Sequence, residues 1–414
     1  MGEGVINLAF DGRLFSRSAS GVKTFLPGPD GSRAVSRRIG ITLVLIVMMV
    51  SIPFTGCLGS SNSSGWTHDD LVIPNYQEES RPHPVLPTPQ SPISFLYSYR
   101  LMWTMSAVYE SYGGVTNISL ENTGTNTIFV YRFGVGWVND TISSQRETSV
   151  YIRPGETGDL GMLFFRAPEG EQEEYEIHIW MCVSNQAETN WHDYGENEGA
   201  LHSTELHPCA LAHLNYTIQS NPSTYFDRVN DRVDYGAVEA VADQIMTDRS
   251  PNKSINQIVG AFEWVKDNIV YLEDEGGDYW QMALETLERG TGDCEDQAIF
   301  ITSIFGALGL NGRVNVIDQH AFASVFVSND LARMDEIQEV IESIYCTDLP
   351  ICYLEDDMGY WLVTDTTGYF YTGGMPARAL PVEGGTDEWT FESTSSLITV
   401  DAVGPSSGWD LWPF

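Results

Sequence analysis

The sequence predicts an antiparallel β-sandwich followed by an α+β domain. Three observations support this. Apolar and polar residues alternate in short runs between residues 94 and 220, which is typical of half-buried strands. From 221 to 380, apolar residues first recur at helical spacing and then return to strand-like runs. At 414 residues, the chain is long enough for two domains and flanking segments.

Residues 1–57 have the composition of an export signal. Six of the 21 basic residues precede residue 39, and an uncharged apolar run follows from Ile39 to Phe54. The run is short for a membrane span of about 20 residues. Thr55-Gly56-Cys57 resembles the lipobox of prokaryotic lipoproteins, which implies lipidation of Cys57; an uncleaved anchor helix is the alternative. Both place the rest of the chain at the cell surface, on the outer face of the cytoplasmic membrane, because the positive flank stays inside.

Residues 58–93 are rich in Ser, Asn and Pro. This composition cannot bury a core, and its prolines favour extended backbone. We therefore predict a disordered tether between the membrane and the folded domains.

Residues 94–220 are predicted to form an immunoglobulin-like β-sandwich. Turn residues at 122–126 and 153–156 separate its short alternating strands. The clearest strands are 117–122, 126–135, 148–153, 159–168 and 175–183. The sequence of this domain contains no catalytic constellation.

Residues 221–380 are predicted to form the α+β domain. Helices are expected at 237–248, 255–271, from 294 onward and at 331–343, with strands at 313–318, 320–327 and 360–365. The acidic, aromatic residues 381–414 follow as a C-terminal tail.

The charge of the chain excludes one class of partner. The formal net charge is −36, and there are only three lysines. Such a surface repels the phosphates of nucleic acids, so we expect no DNA or RNA partner.

The cysteines are predicted to leave one thiol unpaired. They are Cys57, Cys182, Cys209, Cys294, Cys346 and Cys352. If the first carries lipid, five remain for an oxidising compartment. Cys346 and Cys352 close a short loop and are predicted to form one disulfide, and Cys182 and Cys209 a second. Cys294 is then the remaining thiol.

Cys294 lies between Asp293 and Glu295, at the predicted start of an apolar helix. A helix N-terminus favours a thiolate and lowers the pKa below about 8.5. The two carboxylates oppose that effect. The alternative is that Cys294 is one of the small buried apolar residues, as many unpaired cysteines are.

Two further residues would give Cys294 the chemistry of a nucleophile. His320 begins a predicted strand, and a neutral imidazole beside the thiol could accept its proton. Asp365 ends another strand and could orient the ring. Asp318 is the competing carboxylate, because it lies near His320 in sequence.

Residues 235–375 resemble the transglutaminase-like superfamily of papain-like cysteine enzymes. The resemblance rests on the Gly-Asp-Cys-Glu-Asp-Gln-Ala helix start at 292–298, a strand-borne His and the Trp-Leu-Val-Thr-Asp strand end at 361–365. It implies Cys294 as nucleophile, His320 as general base and Asp365 as orienting residue. The implied reaction is acyl transfer from a protein or peptide substrate without a cofactor, with water or an amine resolving the acyl-enzyme. The outcome would be peptidase, amidase or crosslinking activity.

Such chemistry also needs an oxyanion hole. The backbone N–H of Cys294 would supply one donor, and Trp280 or Gln281 is the candidate for a side-chain donor. The alternative to an enzyme is a cell-surface binding or adhesion module that has lost catalysis.

The sequence predicts no metal site. His202, His207, Cys209 and His213 have spacings that match no common zinc pattern. The acidic run Glu273–Asp278 lacks the alternating ligands of an EF-hand, so a solvated loop is expected.

Overall fold

The structure is a computed structural model that describes residues 2–10, 84–141, 143–199, 201–210, 217–274, 277–382, 388–391 and 396–403. These residues form six helices and several sheets, so the predicted α+β class is confirmed. The predicted lipobox and most of the predicted tether lie outside them. None of the helices among the described residues is long and apolar enough to cross a membrane.

The first half of the described chain forms two antiparallel sheets. One has the order β1 (Gly2–Phe10), β2 (Tyr97–Met105), β3 (Gly114–Asn122), β6 (Thr157–Phe165). The other has the order β5 (Ser143–Ile152), β4 (Ile128–Trp137), β7 (Gln172–Ser184), β8 (Trp191–Glu198), with β9 (His202–Glu205) also paired to β7. The five strands predicted most clearly correspond to β3 to β7.

The two sheets share one apolar core. Successive strand residues point to opposite faces, so every second residue can be buried. Leu101 and Ile118 from the first sheet and Phe133 and Ile179 from the second are at most 1% exposed and belong to one cluster. Burial of each such side chain contributes about 1.5–3 kcal/mol to folding.

Two segments outside the predicted domain also pair with these sheets. Strand β1 falls in the predicted export signal and pairs antiparallel with β2. At the end of the predicted tether, the N–H of Trp191 donates to the Pro89 carbonyl at 3.0 Å, and that of Ser91 donates to the Trp191 carbonyl at 2.6 Å. Residues 89–91 are therefore fixed to β8 by backbone hydrogen bonds.

The second half packs six helices around a six-stranded sheet. The helices are α1 (Ser223–Asn230), α2 (Glu239–Asp248), α3 (Ile255–Asn268), α4 (Ala283–Arg289), α5 (Cys294–Ala307) and α6 (Ala332–Tyr345). The sheet has the order β10 (Ile218–Ser220), β19 (Leu397–Asp401), β13 (Gly312–Ile317), β14 (His320–Ser328), β16 (Gly359–Thr364), β15 (Tyr353–Asp356). Two separate pairs of short strands also occur in this half. They are β11 (Val270–Tyr271) with β12 (Thr291–Gly292), and β17 (Ala379–Pro381) with β18 (Trp389–Phe391).

The predicted boundary at 220 is the last residue of β10, and the one at 380 lies in β17, ahead of β19 in sequence. Strand β19 lies between β10 and β13, and its Leu397 and Val400 are fully buried. Residues 397–401, which lie in the predicted tail, therefore form a strand of this sheet. Both halves of the described chain belong to the same compact unit.

Helix α5 is the central helix of the second half. Its apolar sequence is buried on almost every side, with Ile299, Phe300, Ile304 and Phe305 fully enclosed. It packs on β13 and β14. This position fixes the start of α5, where Cys294 lies, next to the start of β14, where His320 lies.

Candidate active site

Cys294 is the first residue of α5, and a capping box fixes the helix start. The Asp293 side chain accepts from the backbone of Asp296, and the Asp296 side chain accepts the Asp293 N–H at 3.4 Å. Asp296 is fully buried and also accepts the Gln281 N–H at 2.7 Å. The thiol therefore lies on a rigid element.

His320 and Asp365 form a buried pair. His320 begins β14 and Asp365 directly follows β16, and these strands are neighbours in the sheet. His320 Nε2 lies 2.7 Å from Asp365 Oδ2, with side chains only 5% and 2% exposed. Asp365 also accepts from the N–H groups of Ala377 and Thr367 and from the Thr367 hydroxyl. These bonds orient the carboxylate towards the ring.

The environment keeps Asp365 ionised. Burial alone would raise the pKa of this carboxyl, but the charge and hydrogen bond of His320 and the bonds from Ala377 and Thr367 outweigh burial, so its pKa is lowered. Asp318, the competing residue in the sequence, is not the partner of the ring.

Cys294 and His320 line the same cavity. Its volume is about 280 Å³, and Trp280, Glu295 and Gln319 are among its other lining residues. The backbone of Ala321, which follows His320, lowers the pKa of the Cys294 thiol and so favours its thiolate. The structure thus brings the predicted nucleophile and base to one cavity, with Asp365 behind the ring.

Cys294 rests as a thiol, contrary to the expectation of a lowered pKa. Its Sγ–H donates to Glu295 Oε2 at 3.0 Å. Burial raises the pKa of the thiol most, and the hydrogen bond and charge of Glu295 raise it further. The Ala321 backbone lowers the pKa, but by less than burial and Glu295 raise it. Desolvation and the adjacent carboxylate therefore outweigh the helix N-terminus.

The carboxyls beside the thiol are also perturbed. Burial, followed by the charge of Glu295, raises the pKa of Asp293 to about 7. Burial raises the pKa of Asp296 to about 7 as well. Both groups therefore titrate near neutral pH.

The two candidate oxyanion residues have different positions. Trp280 lines the cavity, but its indole N–H donates to Asp278 Oδ1 at 2.7 Å, and the Arg228 guanidinium lies 4.1 Å from its ring centroid. Gln281 is 3% exposed and accepts from the Thr286 hydroxyl at 3.3 Å. It is not among the lining residues. Trp280 is therefore the better placed of the two.

Sequence reasoning missed Arg228, Asp278 and Glu295 as part of the site. The sequence shows Glu295 only as a charge beside the thiol, whereas its carboxylate accepts a hydrogen bond from the thiol. Arg228 bonds to Asp278 at 2.7 Å across 50 residues of chain. No local sequence signal predicts such a long-range pair.

The predicted Cys182–Cys209 disulfide is wrong. No disulfide is present among the described residues, whose cysteines are all thiols. Cys182 packs with Phe129 and Trp191 in a small apolar cluster, whereas Cys209 belongs to the core of the second half and donates to the Glu110 carbonyl. The two residues lie in different cores.

The predicted Cys346–Cys352 disulfide is also wrong. Cys346 caps the end of α6 in a left-handed conformation, and its thiol lies 3.5 Å from the Ser343 carbonyl. Cys352 is buried in the core of the second half. The odd number of cysteines therefore does not single out Cys294.

Within the described part of the chain, His202, His207 and Cys209 form no metal-ligating group. His202 packs against Trp103 and Tyr175, and His207 packs against Tyr109. His213 lies outside the described residues.

Comparisons with known proteins do not assign a family. No protein-family model and no curated protein matches this chain. The solved structure of a "Putative Cysteine Protease" from Cytophaga hutchinsonii is similar over 68% of this chain and 82% of its own, with 9% identity and a TM-score of 0.23. Two Bacteroides uniformis β-glucuronidase structures match 48% of this chain and 22% of theirs, with 9% and 8% identity and TM-scores of 0.17 and 0.16. These scores are too low to assign an activity.

Proposed function

We propose that this chain is a transglutaminase-like cysteine enzyme that acts on peptide or amide bonds through Cys294, His320 and Asp365. The observation that supports this most is the shared cavity of Cys294 and His320, together with the 2.7 Å bond from His320 to the buried Asp365. A nucleophile, a base and an orienting group in this relation are the components of a catalytic triad.

The hydrogen bond to Asp365 assigns roles to the ring nitrogens. When Nε2 carries the proton and donates to Asp365, Nδ1 is the unprotonated nitrogen. Nδ1 then takes the thiol proton as sulfur attacks the carbonyl carbon. The imidazolium returns this proton to the leaving amine, and an acyl-enzyme forms. Water or a second amine, deprotonated by the same nitrogen, releases the acyl group.

The oxyanion of the tetrahedral intermediate needs donors. The first N–H groups of a helix have no partner within the helix, so the backbone N–H at the start of α5 is one donor. The Trp280 indole N–H is the second donor, provided that its hydrogen bond to Asp278 is replaced by one to the oxyanion. The walls of the cavity decide whether water or an amine resolves the acyl-enzyme.

We also propose that the enzyme is exported and held at the outer face of the cytoplasmic membrane, by lipid on Cys57 or by an anchor helix. The basic and apolar composition of residues 1–57 supports this. Either alternative separates the edge strand β1 from β2, so the proposal requires this sheet to persist as β2, β3 and β6. The first half of the described chain would then act as an immunoglobulin-like spacer.

Alkylation of the full-length protein in detergent, followed by peptide mapping, tests the triad. We expect iodoacetamide to label Cys294 more slowly in His320→Ala, because the thiol loses its proton acceptor. Cys346, also partly exposed, is an internal control and should react equally in both proteins. Trapping of an acyl-enzyme on Cys294 with an activated ester would extend the result to acyl transfer.

A binding module is the second candidate function. The observation that favours it is the Cys294 thiol held by Glu295, with its pKa raised. In that case Cys294 labelling would not respond to His320→Ala, and no acyl-enzyme would form. That result would overturn the catalytic proposal.

A further inference from the structure

The three residues of the candidate triad lie on three separate segments of the chain. Cys294 begins α5, His320 begins β14, and Asp365 directly follows β16. Pairing of β14 with β16 fixes the ring relative to the carboxylate. Catalytic groups must keep their relative positions to within about 0.5 Å, so the connection between the start of α5 and the residues after β16 matters for the chemistry.

The Gln297 side chain makes this connection. It lies one turn beyond Cys294 on α5 and is only 3% exposed. Its Nε2 donates to the Gly292 carbonyl at 3.1 Å, and its Oε1 accepts from the Thr366 hydroxyl at 2.7 Å. One amide therefore links Gly292, two residues before the candidate nucleophile, to Thr366, one residue after the orienting carboxylate.

Lys266 holds the same threonine from another helix. Its Nζ, in the last turn of α3, donates to the Thr366 carbonyl at 2.9 Å. Burial lowers the pKa of Lys266, and the charges of Asp365 and Glu263 oppose that effect. The Thr366 hydroxyl is thus bound to α5 and its carbonyl to α3, with the lysine charge close enough to Asp365 to interact with it.

The link between Gln297 and Thr366 is buried. Thr366 is 5% exposed, so both partners of its hydrogen bond to Gln297 are shielded from water. Loss of one partner would leave the other unpaired in the interior, which is costly. Rotation of either side chain is therefore disfavoured, and the hydrogen bond acts as a rigid link.

We propose that Gln297 and Thr366 are positioning residues for the candidate triad. Their hydrogen bond holds the residues after β16 in place against the start of α5, so that the imidazole stays within reach of the thiol. Lys266 supports the same link from α3. The inference rests on the proposed function, because these residues act only through the triad. A displacement of about 1 Å can slow a reaction about 100-fold, so loss of the link should be measurable in the reactivity of the thiol.

The competing account is that the link stabilises the fold and has no influence on the thiol. Both accounts predict a lower melting temperature when the link is lost. They differ once His320 has been removed. A residue that acts through the imidazole has no further effect on the thiol when the imidazole is absent, whereas an independent effect persists.

Alkylation of Cys294 by iodoacetamide, in the full-length protein in detergent at pH 7 with peptide mapping, tests the inference. Thr366→Val keeps the shape of the side chain and removes its hydroxyl, so labelling should slow by about threefold or more. Thr366→Ser keeps the hydroxyl and should label within about twofold of the unmodified protein. In the His320→Ala background, Thr366→Val should leave the labelling rate unchanged.

Thr302→Val is the matched control. Thr302 is also buried and lies on α5, where its hydroxyl donates to the Arg313 carbonyl at 3.4 Å. This variant should label as the unmodified protein does. Circular dichroism establishes that each variant is folded. Should Thr366→Val fail to fold, Lys266→Met removes the other bond to this threonine, and it should slow labelling only while His320 is present.

The outcomes distinguish failure of this inference from failure of the proposed function. If His320→Ala labels as fast as the unmodified protein, the triad is refuted and the inference falls with it. If His320→Ala is slow but a folded Thr366→Val labels as fast as Thr302→Val, the positioning role is refuted and the triad stands. Equal slowing by Thr366→Val with and without His320 would also refute the positioning role, because the link would then act independently of the imidazole.

Discussion

At the scale of single residues, two opposing sets of effects determine the protonation state of Cys294. The start of α5 and the Ala321 backbone favour the thiolate, whereas burial and the Glu295 carboxylate favour the thiol. The latter two dominate, so the pKa is raised. The sequence contains both carboxylates beside the cysteine but cannot show how deeply the sulfur is buried.

Replacement of Glu295 should make the thiol more reactive. Glu295→Gln removes a negative charge that contacts Cys294 Sγ at 3.0 Å. A like charge at this range shifts a pKa by about one unit or more, so alkylation of Cys294 at pH 7 should be about tenfold faster. Rates are measured by peptide mapping. Glu288→Gln, an exposed change on α4, is the control and should leave the rate unchanged.

The prediction concerns Glu295 specifically. If Glu295→Gln and Glu288→Gln react equally fast, the Glu295 carboxylate does not control the thiol.

At the scale of elements, the parts of the site on long elements could be predicted from sequence. Helix α5 and strands β14 and β16 have strong apolar patterns, and they position Cys294, His320 and Asp365. Strand β19 has only five residues, of which Leu397 and Val400 are fully buried, and it is far in sequence from its partners. Its pairing depends on tertiary contacts, so a local pattern could not reveal it.

The start of α5 should make stability depend on pH. The pKa values of Asp293 and Asp296 rise from 3.8 unfolded to about 7 folded. A raised folded-state pKa contributes stability at low pH that is lost as pH rises from about 4 through about 7. Asp365 has the opposite sign, but its lowered pKa affects stability only at more acidic pH. The melting temperature should therefore fall between pH 5 and pH 8.

Asp296→Asn isolates this effect. The amide does not titrate, so the melting temperature of this variant should change less over the same pH interval. Asp335→Asn, in the first turn of α6, should retain the full dependence. Equal slopes in all three proteins would show that the start of α5 is not the source.

Helix α5 also contains a glycine whose replacement should reverse the usual helix preference. Alanine is normally about 1 kcal/mol better than glycine inside a helix. A Cβ at Gly306 would lie 2.0 Å from the Tyr235 ring, and the Tyr235 hydroxyl is bonded to the Ala402 carbonyl at 3.0 Å. Gly306→Ala should thus destabilise the protein by about 1–3 kcal/mol, as overpacking does. Chemical denaturation measures the free energy of unfolding.

Gly260→Ala in α3 is the matched control. The added Cβ would approach the side chains of Arg249, at 2.9 Å, and Ile245, at 3.2 Å. The nearest atom is Arg249 Cγ, on a side chain, at a longer distance than the Tyr235 ring is from Gly306, so a smaller destabilisation than that of Gly306→Ala is expected. A stabilised Gly306→Ala protein would contradict the packing of Tyr235 on α5.

At the scale of the whole molecule, contacts distant in sequence join the two halves of the described chain. The Tyr109 hydroxyl, from the first half, donates to the Ala379 carbonyl at 3.2 Å. Tyr109 and Tyr112 belong to the core of the second half. A cavity of about 530 Å³ lies between strand residues such as Arg146 and helix residues such as Gln338. We therefore expect the halves to unfold together.

The end of the chain offers the most direct test of this architecture. Strand β19 pairs with β10 on one side and β13 on the other, and Asp401 bonds to the buried Arg313. Truncation after residue 395 removes these partners and exposes the edge of β13, so cooperative unfolding should be lost. Truncation after residue 403 keeps all of these contacts and should leave the melting temperature near that of the full chain. Differential scanning calorimetry distinguishes the two. A cooperative, unshifted transition in the shorter chain would mean that residues 397–401 are dispensable for the fold.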